Sequence, residues 1–422
     1  MVRYFILIAC IAGCATDDVP VSETSSDLTM VSFHREHVTG DIYHYELRVP
    51  VGHTPNAALR VHRIVRELAP FVPRRTSHAA MLLHGDFSTF VTNFAPTLGD
   101  PASPAPGLAP YLAAHDIDVW GLDRRWTLPG ETDDISDLAT MGIAQELDDL
   151  RAALVLARGV RTVDGSGSGK LALIGFSHGA QIAYTYAAVD GARPVAQRSV
   201  SALVPLDFYG DYGPDEADLR AATCDASAAE YDLVAEGVID SPNDFFIEAG
   251  ELAASAPDDP SPLLDGFTNR GAMLLVVGQT YQFAPFAPFY HLLSPILDGD
   301  TAVGLRETPE LASDAWLAGA APHESMLEAA DLDALLCGQT PPVAAPLANI
   351  RVPLFYIGAA GGIGTLGLHA TTQVSSTDVT TLVIQRFPAD QRAADFGHGD
   401  LIFATDAPQL VWQPLASWLG HH

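Results

Sequence analysis

Residues Lys170-Leu171-Ala172-Leu173-Ile174-Gly175-Phe176-Ser177-His178-Gly179-Ala180 decide how this chain is read. The run 170–174 is short and apolar and follows a Gly/Ser loop, the mark of a strand buried on both faces of a parallel sheet. Residues 178–189 are Ala-rich, carry Ile182, Tyr184 and Tyr186, and stop before Gly191, which predicts a helix. Between the two lies Gly175-Phe176-Ser177-His178-Gly179, a G-x-S-x-G string that sets a serine on a sharp strand-to-helix turn. Glycines two residues before and after it leave room for that turn. The string is common by chance, and the strand and helix around it give this copy its meaning.

Two further stretches stand at matching places. Residues 79–83 form an uninterrupted apolar strand that delivers the chain to His84-Gly85-Asp86-Phe87-Ser88. Residues 380–387 read as the last strand, Phe396-Gly397-His398-Gly399-Asp400-Leu401 follows as a loop, and 408–419 read as a final helix. Of fifteen histidines, His398 alone sits just past the last strand between two glycines. With these pieces in place, residues 40–207 and 349–420 resemble the α/β-hydrolase superfamily, in its esterase- and lipase-like serine hydrolases. The resemblance implies an α/β-hydrolase fold: a mostly parallel sheet, helices on both faces, and a cap inserted over the site. It also implies Ser177 as nucleophile and His398 as general base. The oxyanion hole would be the backbone N–H of Asp86 or Phe87 together with that of His178, the residue after the nucleophile. Serine at the elbow speaks against dehalogenase or epoxide-hydrolase chemistry, which needs a carboxylate nucleophile.

The acid of the triad is assigned from an absence. In most of the resembled superfamily it follows the strand that ends here at Gly358, yet no Asp or Glu lies between Gly358 and Asp378. The known alternative is the end of the preceding strand, where Leu203-Val204-Pro205-Leu206-Asp207 places a carboxylate at the sheet's carboxyl edge. Asp207 is therefore the expected acid and Asp211 the fallback. Asp378 already leads into the last strand, and Asp395 and Asp400 are so local to His398 that they are expected to fasten its loop.

The rest of the chain fits around these points. Alternating residues at 42–49 and 59–65 predict strands, as does the run 117–123. Residues 108–115 predict a short helix. Ile143, Leu147, Leu150, Leu154 and Ala157 keep the three/four spacing of an amphipathic helix. Asp123-Arg124-Arg125-Trp126 resembles a loop that an aspartate and an arginine fasten by hydrogen bonds. Gly165-Ser166-Gly167-Ser168-Gly169-Lys170 is not a phosphate loop: Asp164 stands five before Gly169, and Leu171 follows the lysine where Ser or Thr would hold Mg²⁺. His34 and His37 have metal-like spacing without a carboxylate or a helical frame and read as surface residues. No cofactor and no metal are expected. Residues 208–348, an insertion, match no pattern; their composition predicts mainly helix. Phe283, Phe286 and Phe289 within it are candidates either for lining an apolar pocket or for the insertion's own core.

Bulk properties narrow the partners. A chain of 422 residues with 48% hydrophobic content can bury a large core. Its formal charge of -30 and pI near 4.6 repel nucleic acid and anionic lipid headgroups, so a neutral or apolar small-molecule ester, or a lipid-derived one, is the expected substrate. A cap-gated peptidase or amidase, or a ligand-binding protein without catalysis, are the alternatives. Residues 1–14 carry Arg3 and then an apolar stretch too short to span a bilayer. Ile11-Ala12-Gly13-Cys14 resembles a bacterial lipobox, which implies acylation of Cys14, a flexible tether over 15–39, and a lipid-anchored place in the cell envelope. Ordinary cleavage near Gly13 is the alternative. Cys224 and Cys337 then remain, both inside the insertion, as a disulfide or as two buried thiols.

Overall fold

Apolar runs that offer no polar face to water belong in the middle of a sheet, and that is where they lie. The structure, a computed structural model, describes residues 32–99, 107–282, 289–339 and 343–422. Its strands are β1 (Ser32–Thr39), β2 (Ile42–Pro50), β3 (Ala58–Ala69), β4 (Val72–Pro73), β5 (Ala79–Leu83) and β6 (Asp118–Asp123). They continue with β7 (Leu171–Phe176), β8 (Val200–Leu206), β9 (Pro295–Asp298), β10 (Thr301–Leu305), β11 (Leu354–Ala359) and β12 (Val379–Ile384). The main sheet runs β1-β2-β3-β6-β5-β7-β8-β11-β12, with β4 on the side of β3. Pairing is antiparallel from β1 to β6 and parallel from β6 through β5, β7, β8 and β11 to β12.

Every residue of β5, β6, β7 and β11 is buried, as uniform apolarity requires. Alternation still sorts side chains between two layers. Leu171 and Leu173 of β7 join Leu147, Leu150, Leu154 and Ile182, from the helices Ile143–Val163 and His178–Ala192. Ala172, Ile174 and Phe176 face the other way, toward Leu108, Leu112, Val411 and Leu415. The central strands are thus sandwiched, and their carboxyl ends, where β7, β8 and β11 stop side by side, are the edge left for a site.

One expectation needs correction. A tether running to residue 39 is excluded at its end, because Ser32–Thr39 pair with β2, with one register shift between His37 and Thr39; the signal segment, Cys14 and the remainder of the tether lie outside the described residues. The insertion is mostly helical, with Ala217–Ala235, Asp244–Ser255, Asn269–Gly278, Glu310–Ala318 and Met326–Cys337, but it also carries the antiparallel hairpin β9–β10. Gly299-Asp300 between the paired Asp298 and Thr301, with Gly299 at φ +60°, is the two-residue turn chemistry that marks a hairpin in sequence.

Cys224 and Cys337 form a disulfide, with Cα atoms 4.9 Å apart and 113 residues between them. It ties Ala217–Ala235 to Met326–Cys337, the first and last helices of the insertion, which pack along their length. In the chain-entropy account, closing a loop of this order contributes up to about 4.7 kcal/mol. Peptide mapping after alkylation of the unreduced protein is expected to find both thiols blocked until a reductant is added. The Cys224→Ser/Cys337→Ser pair is expected to lower the thermal midpoint by several degrees.

Candidate active site

Backbone conformation marks the site before any side chain does. Five described non-glycine residues have positive φ, and three of them, Phe87, Ser177 and Asp207, stand together at the carboxyl edge of the sheet. Such conformations cost on the order of 1–3 kcal/mol each and persist only where their surroundings enforce them. At Ser177 (φ 57°, ψ −133°) the enforcement is visible. Its N–H donates to Leu206 O at 3.1 Å and its carbonyl accepts from Ala180 N–H at 2.7 Å. A Cβ on Gly175 would overlap Gly179 O, and one on Gly179 would overlap His84 O, so these two glycines let strand, helix and the His84 loop converge beneath the serine.

The His84-Gly85 turn is held by the ring of His84. Its Nδ1 lies 2.8 Å from Gly85 O, and its Nε2 accepts the Arg124 N–H at 3.1 Å, which sets the tautomer. Burial, with the Arg124 guanidinium second, pushes this imidazole down to about 3, so it is neutral. Asp86 follows: its carboxylate accepts from His178 Nδ1, and from Arg124 Nη2 at 3.3 Å. Burial, then the neighbouring His398, lowers His178 to about 3 as well. The Asp86 N–H and the His178 N–H have no acceptor among the described residues; the latter opens a helix, where first-turn N–H groups have no partner in the helix itself. The Phe87 N–H instead donates to Glu324 Oε2 at 3.4 Å. Of the two expected donors on this loop, Asp86 is therefore the one that remains free.

Asp207 is fully buried at the end of β8. Its Oδ1 accepts from Ala359 N–H at 2.8 Å and Gly364 N–H at 2.7 Å, and its Oδ2 from Ile363 N–H at 3.0 Å. The last residue of β11 and the loop after it, which lacks a carboxylate of its own, wrap the carboxylate at the end of β8 with three backbone donors. A Cβ on Gly362 would overlap Oδ2, so that position must be bare. The fourth hydrogen bond to Asp207 comes from His398 Nδ1, 2.8 Å from Oδ2. Nε2 of His398 is buried without a hydrogen-bond partner and lies in the same cavity wall as Ser177.

The other candidate acids are engaged elsewhere. Asp395 accepts from Arg386, Phe387 and Phe396 N–H and fastens the loop; Asp400 accepts from Ser294 and Gly397 N–H and from Thr308 Oγ1. Asp378 meets His422, and Asp211 pairs with Arg220. Asp123, read as a loop fastener, accepts from Phe90 N–H at 2.7 Å and from His62 and Arg60. Trp126 lies buried in a single 3-10 turn, its Nε1 donating to Glu328.

Part of what places His398 could not be found from the sequence. The N–H groups of His398 and Gly399 donate to His291 O at 3.1 Å and Leu292 O at 2.6 Å, both inside the insertion. The imidazole stacks on Phe176 at 4.6 Å between ring centres, with Tyr290 at 5.4 Å. Above Ser177 opens a cavity of about 320 Å³, bounded by His178, Phe208, Phe246, Tyr290, Trp316 and Glu324 besides the groups already named. Of the three phenylalanines considered for this wall, Phe283 and Phe286 lie outside the described residues, and Phe289 packs under Arg392. Glu324 carries no signal in a helical, acid-rich insertion. Asp86 and His178 were named for their N–H groups alone, although two polar side chains at those positions hint at their pairing.

A hydroxyl on an exposed turn, an imidazole with one nitrogen anchored and the other open, and two unpaired N–H groups can together deliver a nucleophile to a carbonyl and stabilise the resulting oxyanion. No protein-family model and no characterised protein matches the chain in sequence. In solved structures the chain is similar to a candidate lipase from Sulfolobus solfataricus, with a TM-score of 0.61 and 13% identity, covering 93% of this chain and 99% of that one. It is also similar to a hypothetical protein from Pseudomonas aeruginosa, with a TM-score of 0.50 and 13% identity over 96% and 100% of the two chains. The fold is the α/β-hydrolase fold.

Gly362→Ala is expected to cost about 1–3 kcal/mol or more in urea denaturation, since its methyl must displace the Asp207 carboxylate or the loop. In an Asp207→Ala background the same change should cost measurably less, because the two positions share one contact. Equal costs in both backgrounds would separate Gly362 from the carboxylate.

Proposed function

We propose that the chain is a serine hydrolase that cleaves a carboxylic ester through an acyl-enzyme. The observation that carries this reading is the Asp207–His398 hydrogen bond, with His398 Nε2 left open toward the cavity that Ser177 lines. In the first step Ser177 Oγ forms a bond to the substrate's acyl carbon while His398 Nε2 takes the hydroxyl proton. The carbonyl electron pair moves onto oxygen, where the Asp86 and His178 N–H groups stabilise it. As the tetrahedral centre collapses, the C–O bond to the alcohol breaks and His398 returns the proton to that oxygen. Water then repeats the sequence on the acyl-enzyme, giving the acid and free Ser177. Asp207 holds the Nδ1–H tautomer and stabilises the imidazolium. An apolar, aromatic cavity and an anionic exterior favour an ester over a polyanionic substrate.

Ser177→Ala is expected to lower kcat by about 10⁶-fold and to abolish labelling by a fluorophosphonate probe. Equal labelling of wild type and variant would overturn the assignment. Asp207→Asn is expected to lower kcat by about 10⁴-fold with the fold retained. Aryl esters of graded chain length beside aryl amides set the ester preference; turnover of neither would favour a ligand-binding protein. We also infer envelope attachment through Cys14 from Ile11-Ala12-Gly13-Cys14. Metabolic labelling with an alkyne fatty acid should be lost in Cys14→Ser.

A further inference from the structure

The cavity above Ser177 holds one group that the ester reaction does not use. Glu324 is half-buried in its wall; its carboxylate accepts a long 3.4 Å bond from Phe87 N–H at Oε2 and a hydrogen bond from the Asn243 side chain, both neutral donors. It forms no ion pair with any described residue. The nearest guanidinium, Arg124, is already committed to Glu328 Oε1 at 2.5 Å and to Asp86 Oδ1 at 3.3 Å. His178 stays neutral, as shown above, so this end of the cavity gathers three carboxyl groups against one cation. Burial, only partly offset by Arg124, pushes Glu324 up to about 7. A carboxyl so placed becomes a stable anion when a positive charge joins it in the cavity.

Aromatic faces stand beside it. The Phe87 ring, whose own N–H reaches Glu324, stacks on Phe246 at 4.7 Å and meets Trp316 at 5.2 Å. Trp316 is fixed by its Nε1–H to Ser88 Oγ at 3.1 Å, and all three rings line the cavity. Ring faces attract cations, most strongly when water is excluded, and a carboxylate among several such faces is the pairing that captures an ammonium group. The net charge of -30 draws cations toward the molecule as a whole.

We propose that this cavity takes a substrate carrying a cationic ammonium group, held by the Glu324 carboxylate and the faces of Phe87, Phe246 and Trp316, on the reading of Ser177 as the acyl-transfer nucleophile. The expectation of a neutral substrate is thereby narrowed: the ester bond is neutral and one end of the molecule is cationic.

A matched pair of esters tests this, 2-(trimethylammonio)ethyl butanoate and its uncharged isostere 3,3-dimethylbutyl butanoate. Binding is measured by calorimetry on Ser177→Ala, and turnover on wild type. The cationic ester is expected to lead by about tenfold in Kd and in kcat/KM. That ratio should fall toward one in Glu324→Gln, recover in part in Glu324→Asp, and shrink severalfold in Trp316→Leu. Each ratio is taken within one variant, so a general loss of activity does not imitate the effect. Equal or tighter binding of the isostere to Ser177→Ala, or an unchanged ratio in Glu324→Gln, overturns the proposal. Turnover of both esters without preference overturns the cation site and leaves the hydrolase reading standing. Preferential binding of the cation without turnover or fluorophosphonate labelling supports the cation site and overturns the hydrolase reading.

Discussion

A carboxylate with no exposure to water is the constraint around which this structure is arranged. Burying an isolated ion of this kind is prohibitive, and even a paired one carries a penalty of several kcal/mol. Asp207 meets that cost with four hydrogen bonds, one from the last residue of β11, two from the loop after it and one from His398. Each donor belongs to a segment distant in sequence, so satisfying one carboxylate fixes the end of β8, the path after β11 and the orientation of the imidazole together. The positive φ at Asp207 and the bare Gly362 follow from the same demand: backbone has to approach from both sides.

The insertion takes part in this arrangement as well as covering it. Its segment around Tyr290 to Ser294 runs alongside the His398 loop, and Asp400 ties that loop to Ser294 and Thr308. Burial raises the Asp400 carboxyl to about 6, so the ionised form is held at neutral pH at a cost. A raised carboxyl contributes less to stability as pH rises from its unfolded value near 4 toward 6. The histidine loop is therefore assembled by contacts from the insertion and disassembled with it, and the Cys224–Cys337 disulfide secures the insertion's two outer helices. A cap that only gated access would not have its backbone bonded to the His398 loop.

Charge is distributed in two registers. Across the surface the excess of acid is large, yet several buried ions are matched by specific partners: Arg124 with Glu328 and Asp86 beside the site, and Arg63 and Arg161 with Asp118 at the opposite end of β6. Glu324, in the cavity wall, takes part in no ion pair among the described residues.

The elbow, the central strands and the final histidine were legible in the sequence because each rests on local physics. Buried parallel strands must be uniformly apolar, a serine turned through strained backbone needs glycines two residues away, and β5 and β8 fall where the apolar runs predicted them. Asp207, expected because no acid lies between Gly358 and Asp378, is the carboxylate that meets His398. What only the folded chain decided is set by contacts between segments far apart. The choice of Asp86 over Phe87 as the free donor depends on Glu324, more than 200 residues away, and the wall of the cavity is drawn from stretches scattered between Gly85 and His398. The strand Ser32–Thr39 is polar and exposed on much of its length and earns its place by pairing with β2, which no periodicity within it announces. Local pattern determined the elements and the turn that carries Ser177; the long-range satisfaction of buried polar groups determined how they meet.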